Sequence, residues 1–232
     1  MKLLLKCNNF IIDWAPKAAC TIVTKQWFDQ MGILEEALSY NPWVHCFREH
    51  VFYEKFGSVT TSHLESDDFI KIKYVRNPYS RAVSSYIHGC KFPGLFENFE
   101  KKNPSFHVFL QGLASGKLSI NTGGNHWRIQ NCYPKVKYDE TIKIENLEPE
   151  TKRLNKKYNL NLKCNFTSDH HVEKNDKIDN FFNTPASEVK NYLDENKIPE
   201  YDSFYNEEVI NMVYEIYKTD IETYNYKPPL YE

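Results

Sequence analysis

The chain has 232 residues, 41% of them hydrophobic and 26% charged, with a formal net charge of −2. That is too apolar for a disordered chain and long enough for one α/β domain with a substantial core, expected over residues 1–232. The balanced charge lacks the basic excess of a bulk nucleic-acid binder, but it leaves room for a local basic patch facing an anionic glycan.

In chain order, the first apolar run, Leu3-Leu4-Leu5, is too short for a signal core or a membrane span and gives way to Lys6, Asn8 and Asn9. Residues 9–14 read as a buried strand. Residues 20–31 read as a helix, with Ile22, Val23, Trp27, Phe28 and Met31 at helical spacing and Gly32 as its C-cap. Residues 33–66 resist assignment; they are rich in aromatics and histidine (His45, His50, His63), with a turn at Asn41-Pro42. Residues 70–76 form a second core strand, and Asn77-Pro78 starts a helix, since proline at the first helical position loses no hydrogen bond. Residues 89–104 read as loop, 105–115 as an amphipathic helix, and 116–134 as loop again. A third strand is expected from Tyr138 to Ile144 and a helix over 148–159. A polar loop spans 161–184, and helices close the chain at 185–195 and 205–220.

Strands alternating with helical crossovers imply a central parallel sheet flanked by helices on both faces, a three-layer α/β fold. Ligands of such sheets bind beyond the carboxyl ends of the strands. Two segments fall at that edge. The first is Phe10-Ile11-Ile12-Asp13-Trp14-Ala15-Pro16-Lys17-Ala18-Ala19-Cys20-Thr21. The second is Lys71-Ile72-Lys73-Tyr74-Val75-Arg76-Asn77-Pro78-Tyr79-Ser80-Arg81-Ala82-Val83-Ser84-Ser85-Tyr86. Each runs from strand through polar turn into helix, and each offers cationic and hydroxyl side chains at the turn. The helix start after Ala15–Thr21 supplies backbone N–H groups for an anion, with Lys17 and Thr21 beside them. Two such sites suit a ligand with phosphate groups at both ends. The Gly-x-x-x-x-Gly-Lys pattern of nucleoside triphosphatases is missing.

These segments resemble the 5′-phosphosulfate loop and the 3′-phosphate motif of sulfotransferases that use 3′-phosphoadenosine-5′-phosphosulfate (PAPS). Carbohydrate sulfotransferases of the heparan and chondroitin type are the nearest in pattern. They write the motifs as Pro-Lys-x-x-Cys-Thr and Arg-x-Pro-x-x-Arg-x-x-Ser-x-Tyr, here Pro16, Lys17, Cys20, Thr21 and Arg76, Pro78, Arg81, Ser84, Tyr86. The resemblance implies a P-loop-like fold, PAPS as donor, and transfer to a carbohydrate hydroxyl. It puts Pro16, Lys17, Ala18, Ala19, Cys20 and Thr21 around the phosphosulfate, with Lys17 stabilising the leaving oxygen. It puts Arg76 and Ser84 on the 3′-phosphate, where a planar guanidinium suits bidentate binding. Arg81 either touches a phosphate or braces the loop through an ion pair. Cys20 reads as a small residue that lets backbone approach the ligand, or as a redox-sensitive thiol at a helix start. Animal Golgi members carry an anchor and stem. Without either, the expectation is a soluble cytoplasmic enzyme, or one of the Golgi lumen if the chain is a trimmed form.

A sulfuryl acceptor needs a base, and neutral imidazole suits that task. His45, His50 and His63 are the candidates between the motifs. His50-Val51-x-x-x-Lys55-Phe56-Gly57 resembles the catalytic-histidine segment of uronyl 2-O-sulfotransferases, except that Arg48 stands where those enzymes have another histidine. His50 is therefore the first choice, His63 the second, with Glu49 and Glu54 in reserve. His126-Trp127-x-x-Gln130 resembles a stretch of the same branch, so His126 and Trp127 would line the acceptor cleft; otherwise Trp127 is core. Tyr217, Asp220 and Tyr224 resemble the family's C-terminus. Asp169-His170-His171 has no further ligand at useful spacing, and the six cysteines form no Cys-x-x-Cys pair, so no metal site and reduced thiols are expected. The rival readings are a small-molecule kinase, a protein-tyrosine sulfotransferase, and a non-catalytic nucleotide- or glycan-binding module.

Overall fold

From Leu4 onward the first apolar run lies in a strand. β1 (Leu4–Cys7) turns back through Asn8-Asn9 onto β2 (Phe10–Trp14), antiparallel, with Cys7 opposite Phe10. Asn8 takes the left-handed φ of 51° that this tight reversal needs, a conformation asparagine tolerates better than most residues. β3 (Ile70–Val75) lies parallel to β2, with Tyr74 opposite Trp14, and β4 (Glu140–Lys143) lies parallel to β3. The sheet order is β1-β2-β3-β4. The expected parallel sheet is therefore present with one antiparallel edge strand added. The computed structural model describes residues 4–97, 99–119, 126–166, 173–175 and 177–229. They fall into two compact units, residues 1–76 with 132–169 and residues 77–131 with 170–232.

In the first unit, alternation along the strands separates two faces. Ile12, Trp14, Ile72, Tyr74 and Ile142 pack with Val23, Trp27 and Phe28 of α1 (Cys20–Gln30) and Leu154 of α8 (Leu147–Tyr158). Trp27 Nε1 donates to the Tyr74 hydroxyl at 3.2 Å, which satisfies a buried indole. On the other face Leu4 and Ile11 meet Leu64 of the short α5 (Thr61–Glu65), with Tyr133 and Val136 beside them. Asp13 and Lys73 sit opposite one another in the β2–β3 register and form a buried ion pair at 2.6 Å, to which Tyr138 adds a hydroxyl donor.

The segment that resisted assignment is helical. α2 (Leu34–Tyr40) stops at Asn41-Pro42. A continuous stretch then runs through α3 (Val44–Phe47), a π-helical turn (Arg48–Phe52) and α4 (Tyr53–Phe56). Phe47 and Phe52, five residues apart, both reach Phe28, at ring centroid distances of 5.7 and 5.1 Å. The π turn bonds i to i+5, which lets Phe47 and Phe52 share the face toward Phe28.

The second unit is built on α6 (Pro78–Lys91), α7 (Phe106–Ala114), α9 (Ala186–Asp194) and α10 (Glu207–Thr223), around Tyr86, Phe96, Phe106, Phe109, Trp127 and Phe204. A small parallel pair, β5 (Glu173–Asn175) with β6 (Lys197–Pro199), belongs to it as well. The helix after the second motif does not end at Gly89 but continues to Lys91. Gly89 is needed there for packing, since a Cβ would lie 2.3 Å from Phe96 Cζ. Among the described residues no helix is long and apolar enough to cross a membrane.

Candidate anion-binding site

The first motif departs from regular geometry just after β2. Ala18 N–H donates to Ala15 O at 3.1 Å and closes a turn. Lys17 and Ala19 then both take left-handed φ, 67° and 54°. Neither is glycine, and this region costs an L-residue roughly 1–2 kcal/mol. Such strain persists only where the surroundings hold it, and it gathers at functional sites. Left-handed residues in a turn also point successive N–H groups into one concavity, the geometry of backbone anion nests. Ala19 is the N-cap of α1 and offers no side-chain acceptor, so no cap hydrogen bond competes for the first N–H groups of this eleven-residue helix. Pro16 and Ala18 are buried; Lys17, Ala19 and Cys20 are partly exposed.

The second motif meets the first here. Arg76 follows β3 directly, and its Nη1 donates to Lys17 O at 3.0 Å. The parallel register makes this possible: Tyr74 lies opposite Trp14, so both chains leave the sheet side by side. Arg76 thereby grips the carbonyl of a strained residue.

A second support comes from the π-turn stretch. His45 Nε2 lies 3.1 Å from Thr21 Oγ1, and Arg48 Nη1 lies 2.8 Å from His45 Nδ1. Arg48 is fully buried, with its guanidinium 5.6 Å from the Trp14 ring and bonded to Glu49 at 2.6 Å. Because arginine only donates, Nδ1 of His45 must accept, and the imidazole proton resides on Nε2. His63 is engaged elsewhere. Its Nδ1 accepts from Thr60 N–H at 3.0 Å in a capping box at the start of α5. His50 is exposed on the π turn, with Nδ1 3.5 Å from the Tyr40 hydroxyl. Glu54 is exposed too. Sequence reasoning counted Arg48 only as a departure from a pattern, and nothing in its spacing pointed to Thr21.

The remaining expected site residues lie in the second unit. Ser84 is partly exposed on α6. Arg81 is fully buried, donates to His126 O at 3.4 Å and to Arg128 O, and faces the Tyr217 ring. These contacts to backbone carbonyls are of the bracing kind, one of the two roles expected of Arg81. Ser85 adds a bond to His126 O at 2.7 Å. The His126 ring packs 4.0 Å from that of His88. Trp127 is wholly buried between Phe96 and Phe109, with its N–H donated to Ser119 O at 2.9 Å. That is the core alternative, since a ring with no exposed face cannot stack on a sugar. Asp220 is likewise structural: its carboxylate accepts the Gln130 and Asn131 N–H groups at 2.7 and 2.9 Å. Asp169, His170 and His171 lie outside the described residues, and among those described no group of three His, Cys, Asp or Glu could hold a metal.

These features define an α/β protein with a strained loop and an uncapped helix start, a candidate anion cradle, where its parallel strands end. A model described as the sulfotransferase family matches residues 8–227, and the chain belongs to that family. Its chemistry is therefore sulfuryl transfer. No curated protein and no solved structure matches the chain.

Proposed function

We propose that this sulfotransferase takes its sulfuryl group from PAPS and moves it in line to a carbohydrate hydroxyl, with His50 as base. The observation that carries the reading is the strained loop itself: Lys17 and Ala19 left-handed, α1 uncapped behind them, and Arg76 clamping the loop from β3. Such a cradle fits the 5′-phosphosulfate end of the donor, and the motif spacing assigns Arg76 and Ser84 to its 3′-phosphate. When bound, PAPS supplies a sulfuryl group joined to a phosphate leaving group. Lys17 would set its ammonium against charge growing on the leaving oxygen, where electrostatic stabilisation counts most.

The choice of base rests on lone pairs. The Nδ1 lone pairs of His45 and His63 accept hydrogen bonds from Arg48 and Thr60. The 3.5 Å contact of His50 with Tyr40 is at the limit of hydrogen bonding, which favours His50 for receiving the acceptor's proton. A carbohydrate acceptor is supported by the exposed aromatic rings nearby. Tyr40 touches His50, and Trp43 lies edge-on to His45 at 5.5 Å; both are about half exposed and present flat faces of the kind sugars stack on.

The test has two arms. The product nucleotide 3′-phosphoadenosine-5′-phosphate (PAP) should raise the melting temperature, and its 3′-dephospho analogue should do so far less. Arg76→Ala should weaken PAP binding by about 1.5–3 kcal/mol. Radiolabelled sulfate from PAPS should then reach glycans and not tyrosine peptides, with His50→Ala abolishing transfer and sparing PAP binding. Equal stabilisation by both nucleotides removes the 3′-phosphate assignment. ATP turnover without PAPS turnover makes the chain a kinase, and labelled peptides make it a tyrosine sulfotransferase.

A further inference from the structure

The Thr21 hydroxyl has one hydrogen to give and, among the described residues, no protein acceptor for it. Thr21 is buried, and its Oγ1 has the His45 ring as its hydrogen-bond partner. A helical threonine ordinarily donates back to the carbonyl four residues earlier, as Thr151 does to Leu147 at 2.7 Å. For Thr21 that carbonyl belongs to Lys17, which lies before the helix begins and so outside the helical position for such a bond. The proton inventory of the chain Arg48–His45–Thr21 fixes what remains. Arg48 donates to Nδ1, so Nε2 carries the imidazole hydrogen and donates to Thr21 Oγ1. The threonine oxygen is thus an acceptor toward His45, and its own O–H is directed away from the ring, at the first turn of the helix whose N-terminus forms the anion cradle.

We propose that His45 is a positioning residue, held in its neutral Nε2–H form by Arg48, which makes the Thr21 hydroxyl a dedicated donor to the phosphate group bound in the loop. A second proton on the imidazole would set two N–H donors face to face at Arg48, so the arrangement works only with neutral His45, and His45 does not serve as the base. The burial of Arg48 has a purpose in this scheme. A fully buried guanidinium is rare unless paired, and this one is the group that selects the tautomer. The proposal builds on the PAPS reading for the identity of the ligand.

Glutamine tests it, because its amide can accept from Arg48 and donate to Thr21 but cannot act as a base. The measurements are PAP affinity by calorimetry, inorganic pyrophosphate affinity as a probe of the loop alone, and transfer rate at saturation. Thr21→Val should weaken both anions roughly 10- to 100-fold, the worth of a hydrogen bond to a charged group, and Thr21→Ser, which keeps the hydroxyl, should recover most of that loss. His45→Phe should lose as much as Thr21→Val, and the two together no more than either alone. His45→Gln should bind and turn over within a few fold of wild type. Additive losses in the double variant, or a glutamine variant as weak as the phenylalanine one, overturn the proposal. A glutamine variant that binds normally but turns over more than 100-fold more slowly overturns it also, by making His45 the base. If wild type binds pyrophosphate but not PAP, the PAPS reading falls while the positioning role is still measured with pyrophosphate. If it binds neither, both fall.

Discussion

Ala19 offers the sharpest test of whether loop strain shapes the anion site. At φ 54° and ψ 30° it lies in the left-handed region, one residue before α1. That conformation costs alanine roughly 1–2 kcal/mol. Ala19→Gly removes this cost but frees the unfolded chain, which offsets roughly 0.5–1 kcal/mol. The difference is a net gain of about 0.5–1 kcal/mol, with PAP affinity unchanged because the N–H directions are unchanged. Ala19→Val acts oppositely. A β-branched residue with positive φ is a strong outlier. The variant either holds the loop and loses at least about 2 kcal/mol of stability, or relaxes it and turns the first N–H groups of α1 off the anion. Urea unfolding and calorimetric titration with PAP separate these outcomes. The valine variant should lose stability, or at least about tenfold in affinity, while the glycine variant loses neither. If valine matches wild type in both measurements, the left-handed cap is not what makes the cradle.

Two further expectations concern charge. Lys17→Ala should lower turnover at saturation by on the order of 100-fold while weakening PAP binding much less, since its charge acts chiefly on the developing leaving group. A fall in affinity with unchanged turnover would leave the lysine a binding group only. In the first unit, Glu140 is buried on β4, which alone would raise its carboxyl; hydrogen bonds from Arg153, Lys157 and Tyr158 outweigh that and hold it down to about 2. Its stabilisation is therefore complete above about pH 5 and fades as the pH falls toward 2. The shift corresponds to about 3 kcal/mol, and because Arg153 and Lys157 are about half exposed, screening reduces it to about 1–2 kcal/mol. Glu140→Gln should lose that amount at pH 7 and show a flatter stability curve between pH 5 and 3. A parallel curve displaced by a constant amount would mean that the carboxylate is not the acid-sensitive group.

The parts of the fold that follow local periodicity were legible. β2, β3, α1, α6, α7 and α8 stand within two residues of where spacing, Pro78 and Gly32 set them, apart from the C-terminal end of α6. Sequence alone puts that end near Gly89, because a glycine kept for space looks like one kept for a turn. β1 was hidden by its length: four residues carry too little pattern to tell a strand from an apolar run. The stretch 44–56 does carry a helical signal, Val44, Phe47, Val51 and Phe52 at i, i+3, i+7 and i+8, obscured by the further aromatics and histidines around it.

The site was legible in proportion to how covalent it is. Lys17 and Arg76 follow closely on strand ends, so parallel pairing of β2 with β3 is enough for the chain itself to bring them together. His45 and Arg48 reach the same loop only through tertiary packing, by way of Trp14 beneath the guanidinium and Phe28 beneath the π turn. No spacing rule connects position 45 with position 21. What the sequence did hold was a signal of another kind: an arginine where a uronyl 2-O-sulfotransferase has a histidine. As a broken pattern it counts against the match. Inside the fold it is a buried cation that sets one imidazole's proton, and with it the direction of one hydroxyl. A substitution that weakens a resemblance is thus a place to look for altered proton inventory, and the decisive question there is which donors a group has left once its buried neighbours are satisfied.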